Sequence, residues 1–153
     1  MTRSHRQRVL ALTPRDRLEA QWASLGVHEN HRCVRGPETG MAMVRGRMGG
    51  TGNAFNLGEM TLTRASVALE DDTSGGGSLG SGLLGHGWVR GRDHRHAELI
   101  ALIDACAQRD ALRERIDAEL VEPLAAELAS RDAEASRAAA ATRVNFFTMV
   151  RGE

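Results

Sequence analysis

The chain has 153 residues, enough for one domain with a real core, and its 20 basic and 20 acidic residues cancel, which removes any global pull toward nucleic acid or a membrane surface. Every basic residue is arginine. With no lysine present, Schiff-base catalysis and a lysine-bearing P-loop are excluded, while bidentate guanidinium capture of phosphate or carboxylate remains open.

The charge is unevenly spread. Residues 1–70 hold 10 Arg against 6 acids and residues 71–153 hold 10 against 14, so the front half is the better candidate for meeting an anion. Cys33 and Cys106 stand far apart with no CxxC pair, so the chain alone builds neither a zinc knuckle nor an iron–sulfur cluster, and reduced cytoplasmic thiols fit better than a disulfide. No apolar run approaches the roughly 20 residues of a membrane-spanning helix. Residues 1–12 are Arg-rich without acids, but they have no apolar signal core and read as part of the mature protein.

In chain order, residues 3–26 predict two short helices broken at Leu12-Thr13-Pro14, with Thr13 as cap, Pro14 at the first helical position and Gly26 closing the second. Leu18, Trp22 and Leu25 follow at helical spacing. A DNA-binding helix-turn-helix is the weaker reading, since no third helix accompanies the pair. A docking arm over residues 1–27 that packs on a partner, with Trp22 as an interface candidate, is the more natural use.

Residues 31–92 change to strands and glycine turns. Gly36-Pro37 signals a turn, residues 41–48, 60–69 and 83–92 read as strands, and residues 49–53 form a loop. Residues 71–82 are an Asp/Ser/Gly stretch expected to be mobile.

Residues 93–142 predict helices. Asp93 caps one through the apolar stretch 97–107, which is buried against the sheet; Leu112, Ile116 and Leu120 continue as a stripe; Pro123 kinks the helix or starts a new one; and in the last helix Glu127 is placed to pair with Arg131. Residues 143–153 read as a strand-like apolar tail, in which Phe146, Phe147 and Met149 are interface candidates, held in the chain's own sheet or against a partner. The class is α/β in the loose α+β sense: one domain over 1–153, an antiparallel or mixed sheet covered by helices.

Two clusters could carry chemistry. Arg45 and Arg47 alternate onto one strand face and run into Gly49, Gly50, Thr51 and Gly52, whose amides could share a concavity; guanidinium forks beside free amides suit phosphate. On spacing alone, a glycine-rich hairpin with two surface arginines is the commoner reading. The second is His86, Trp88, Arg90 and Arg92 on one strand face, feeding a helix start where Arg92 and His96 could add donors for an anion. His94 and Glu98 share a helix face but lack a third ligand, so no metal site is expected. No nucleophile stands out: there is no G-x-S-x-G turn and no tyrosine.

Arg47-Met48-Gly49-Gly50-Thr51-Gly52, Gly58-Glu59-Met60-Thr61-Leu62-Thr63-Arg64, Gly91-Arg92-Asp93 with His96-Ala97-Glu98, Ile103-Asp104-Ala105 and the terminal Asn145-Phe146-Phe147-Thr148-Met149-Val150-Arg151-Gly152-Glu153, together with a Glu38-Thr39-Gly40 turn, run in the order that resembles the PhnG family. Residues 71–82 depart from it by being longer than expected.

The resemblance implies a subunit of the carbon–phosphorus lyase core complex, partnered by PhnH-, PhnI-, PhnJ- and PhnL-like subunits. With PhnH-, PhnI- and PhnL-like partners it implies transfer of the ribose triphosphate of ATP, accompanied by magnesium, to an alkylphosphonate with release of adenine: an alpha-D-ribose 1-methylphosphonate 5-triphosphate synthase in the cytoplasm. No cofactor is expected on this chain alone. On that reading Arg45, Arg47, the glycine loop and Arg92 touch substrate phosphates or order the loop that does; the competing reading is a purely structural subunit.

Overall fold

The computed structural model describes residues 1–70 and 82–142. Helices α1 (Arg3–Leu12) and α2 (Arg15–Ser24) lead into strands β1 (His31–Arg47), β2 (Ala54–Leu69) and β3 (Leu84–Arg90); α3 (His94–Cys106), α4 (Asp110–Arg115), a π-helical turn over Ile116–Val121 and α5 (Glu122–Ala141) complete the chain. The three strands form one antiparallel meander in the order β1-β2-β3. The class is therefore α+β, as the residue pattern implies.

The helical pair breaks where proline requires it. Thr13 plays a different part from the one its position suggests: its hydroxyl donates to the Val9 carbonyl at 2.8 Å and finishes α1, and it makes no cap on α2. Gly26, at φ 63°, closes α2 in the left-handed region as expected. The pair does not stand out as an arm. Val9, Leu10, Leu18, Trp22 and Leu25 are buried in the same core as Ile100, Ile103, Ile116, Leu120 and Leu124.

Strand β1 is longer than the sequence reading. Gly36-Pro37 and Glu38-Thr39-Gly40 make no turn; they lie inside β1 and are absorbed by register shifts between Cys33 and Arg35 and between Arg35 and Glu38. Because β1 is an edge strand, proline's missing donor costs no ladder bond there.

Helix α3 lies directly on the sheet. Its approach is set by Gly85 and Gly87: a Cβ on Gly85 would fall 1.9 Å from the Ala101 carbonyl oxygen, and one on Gly87 would fall 2.0 Å from that of Ala97. Asp93 caps the helix by accepting the His96 amide at 3.0 Å. Farther on, Pro123 cannot donate, and its ring would crowd the carbonyl four residues back. The backbone widens into the π turn at 116–121 and continues into α5, while Ile116, Leu120 and Val121 stay buried. Glu127 does not pair with Arg131; it takes two donors from Arg17 on α2, Nε at 3.1 Å and Nη2 at 2.5 Å.

Candidate functional site

Strand β3 ends at Arg90, opposite Leu62, and α3 begins beside Thr39, so β1 and β2 continue past both as a two-stranded ribbon. At the usual rise, the eight residues from Thr39 to Arg47 carry it about 25 Å. Alternation places Met41, Met43, Arg45 and Arg47 on the face that continues from Thr39, and all four are exposed. The opposite face carries Ala42, Val44 and Met60, half-buried, with Phe55 lying over Gly46. A bulge opposite Arg45, where Gly58 pairs with Val44 and Asn56 with Arg45, leaves Leu57 as an extra residue, 67% exposed. Met41 and Met48 are more exposed still, at 71% and 77%.

Arg45 and Arg47 share a face; among the described residues Arg45 has no ion pair or hydrogen bond, and Arg47 reaches only the Gly52 carbonyl, at 3.1 Å. The loop itself turns inward. Gly49 and Gly50 take φ of 61° and 81°, and the amides of Thr51 and Gly52 both bond the Met48 carbonyl, so these two amides are spent on the turn and are closed to a ligand.

The second predicted cluster divides. Arg92 is exposed in an open cleft with Arg15, Thr39, Asp93, His94 and Arg95. His96 is not in it. Its ring is 4% exposed and Nε2 meets the Leu10 carbonyl at 3.0 Å, tying α3 to α1 inside the core, so it is no donor for a ligand. Trp22, 9% exposed in the core, is likewise no interface residue. The Arg92 cleft lies at the ribbon base, about 20 Å from Arg45 by strand rise; its other arginines are answered within the chain, Arg15 by Asp93 at 3.5 Å and Arg95 by Glu19 at 2.8 Å, so Arg92 stands apart from the tip arginines.

Beside Arg92, a hydroxyl chain fixes one imidazole. Thr63 donates to the Gly91 carbonyl at 2.6 Å, so Thr39 donates to Thr63 at 3.3 Å and the Nε2–H of His94 donates to Thr39 at 3.0 Å. Glu98 turns elsewhere, accepting from Cys33 Sγ at 3.1 Å and lying 3.6 Å from His31 Nε2. Desolvation and the Glu98 hydrogen bond push the Cys33 thiol up to about 11, and burial pushes Cys106 up to about 12, so neither is a ready nucleophile. Among the described residues, no group of three His, Cys, Asp or Glu side chains could hold a metal.

The outer sheet face joins Trp88, a member of the second predicted cluster, to three residues that the residue pattern did not single out as a site. Arg64 lies 5.7 Å from the Trp88 ring centroid and pairs with Glu38, which also meets Arg35 at 3.3 Å. Trp88 is 46% exposed between this cluster and α1. The register pair Glu38–Arg64 was concealed by the expected turn at Gly36-Pro37.

The family described as Phosphonate metabolism protein PhnG matches residues 1–152. The chain belongs to the PhnG family. A curated relative, the alpha-D-ribose 1-methylphosphonate 5-triphosphate synthase subunit PhnG of Rhizobium meliloti (strain 1021), is 43% identical over 146 residues, which is 95% of this chain and 86% of the relative. What this PhnG-family fold exposes is an open surface with two arginine clusters and a projecting ribbon. Phe146, Phe147 and Met149 lie outside the described residues, as do residues 71–81. No helix among the described residues is long and apolar enough to cross a membrane.

Proposed function

We propose that this chain serves as the PhnG subunit of an alpha-D-ribose 1-methylphosphonate 5-triphosphate synthase in phosphonate catabolism, acting with PhnH-, PhnI- and PhnL-like partners in the cytoplasm. A PhnJ-like subunit shares the core complex and performs the later carbon–phosphorus cleavage. In the reaction, a phosphonate oxygen forms a bond to the ribose C1 of ATP as the C1–N9 bond breaks. The bonding pair leaves with adenine, which takes up a proton, and magnesium accompanies the triphosphate.

The observation that carries this reading is the match to the Rhizobium meliloti synthase subunit over 95% of the chain. The chain's own chemistry fits a subunit that depends on others: its thiols are held protonated, its clefts are open, and its free cations are arginines. Arg45 and Arg47 are the residues we place against substrate phosphate. The glycine loop 49–52 serves to shape the turn that presents them, and Arg92 forms a separate cationic patch at the ribbon base.

The test is turnover of ATP and methylphosphonate by co-expressed PhnH-, PhnI- and PhnL-like subunits with and without this chain, following adenine release and the phosphorus spectrum. Adenine and a new ribosyl phosphonate only in its presence are the expected result. Equal product in its absence would reduce the chain to a scaffold.

A further inference from the structure

We propose that the 40–61 ribbon is inserted into a cleft of another subunit of the synthase, which sheathes both its faces and receives Arg45 and Arg47 at its triphosphate-binding floor. The inference rests on the proposed function and deepens it by naming the surface that docks and what it delivers.

Two observations carry it. A two-stranded hairpin is marginal in water without something to cover it. Here neither α3 nor β3 reaches it, and apolar side chains lie on both faces: Met41 and Met43 on one, with Thr61 and Glu59 opposite them, and Val44, Met60 and Phe55 on the other, with Leu57 raised by the bulge. The tip then supplies the charge. Among the described residues no carboxylate pairs with Arg45 or Arg47, and Glu59, opposite Met43, is the one acid on this face of the ribbon, so an occupant that brings an anion completes the tip.

A second copy of this chain does not meet that need. A two-fold contact through this face would gather four arginines against two Glu59 carboxylates, and it would leave the other apolar face in water. A cleft that closes around both faces satisfies the apolar residues along the ribbon, and a bound triphosphate at its floor satisfies the arginines.

The experiment uses the assembled synthase, purified through a tag on another subunit. Met41→Glu with Met43→Glu is expected to lower retention of this chain by about tenfold or more, while Leu12→Glu, at a site 53% exposed on α1, leaves retention unchanged. Arg45→Ala with Arg47→Ala is expected to leave assembly intact and lower adenine release by about a hundredfold. Because glutamate variants could alter folding, a photocrosslinking side chain at exposed Leu57 provides a second measurement, expected to capture a different subunit. Crosslinking to a second copy of this chain, wild-type retention of the methionine variant, or wild-type turnover of the arginine variant each overturns the inference. Failure of the unmodified chain to assemble at all would instead sink the proposed function.

Discussion

The buried carboxylate of Asp104 accepts the backbone amide of His86 at 3.0 Å, so a side chain from α3 closes the outer edge of β3. Gln7 covers the His86 carbonyl at 2.8 Å and Gln108 covers that of Leu84 at 2.7 Å. These contacts occupy edge groups that would otherwise template another strand. Arg3 completes the arrangement with a two-pronged pair to Asp104 at 2.9 and 2.6 Å.

Asp104 therefore links edge protection to acid stability. Burial works to raise its carboxyl, and hydrogen bonds from Arg3, the His86 amide and Gln7 overcome this, leaving it below the ordinary carboxylate value. A group depressed on folding contributes stability that is present above its unfolded pKa and is lost as pH falls through the folded one. Urea midpoints should thus fall as pH drops below about 4. Asp104→Ala should cost about 2–3 kcal/mol at neutral pH by leaving the His86 amide unpaired, and should flatten that acid limb. An unchanged limb would mean other carboxylates govern it.

Gly87→Ala and Gly85→Ala should each destabilise by about 3 kcal/mol, because the added Cβ meets rigid helix backbone and α3 must lift off the sheet. Gly40→Ala, with nothing within 4 Å of its Cβ, is the contrasting substitution and should be near neutral. Chemical denaturation of the three variants checks the ordering.

His96→Leu should lower stability by about 1–3 kcal/mol through loss of the bond to the Leu10 carbonyl. Turnover per assembled synthase should not change. A large drop in turnover with stability preserved would return His96 to a binding role that its burial denies.

At pH 8, alkylation of Cys33 should run about a hundredfold slower than that of a free cysteine, since a thiol at about 11 holds little thiolate there. The rate should climb toward pH 11, with Cys106 following only on unfolding. Mass spectrometry of iodoacetamide-treated protein resolves the two sites.

Much of the fold could be read from residues whose effect is local. Pro14 and Gly26 bound α2, and Asp93 caps α3, because capping and φ preference act within one turn. What escaped was decided at a distance. Trp22 and His96 point inward because α1, α2 and α3 meet one another, and helical spacing says only that a face is covered, not by what. Glu127 had a good partner at helical spacing in Arg131, yet Arg17 from α2 takes it. At the candidate site, strand alternation correctly put Arg45 and Arg47 together. The same pattern could not show that the loop amides bond Met48, nor that Arg92 sits at the far end of the ribbon.

The seat of α3 on Gly85 and Gly87 also acts as a fulcrum. The ribbon is β1 and β2 continued as a cantilever beyond the sheet on which α3 sits, so a tilt of about 5° at its base displaces the arginine tip by roughly 2 Å over its reach of about 25 Å. A group misplaced by about 1 Å at a reacting centre can lose on the order of a hundredfold in rate. Two glycines far from the proposed phosphate contact thus set the aim of the tip. Side chains there that the fold survives should be felt as lost pointing accuracy in an otherwise assembled enzyme.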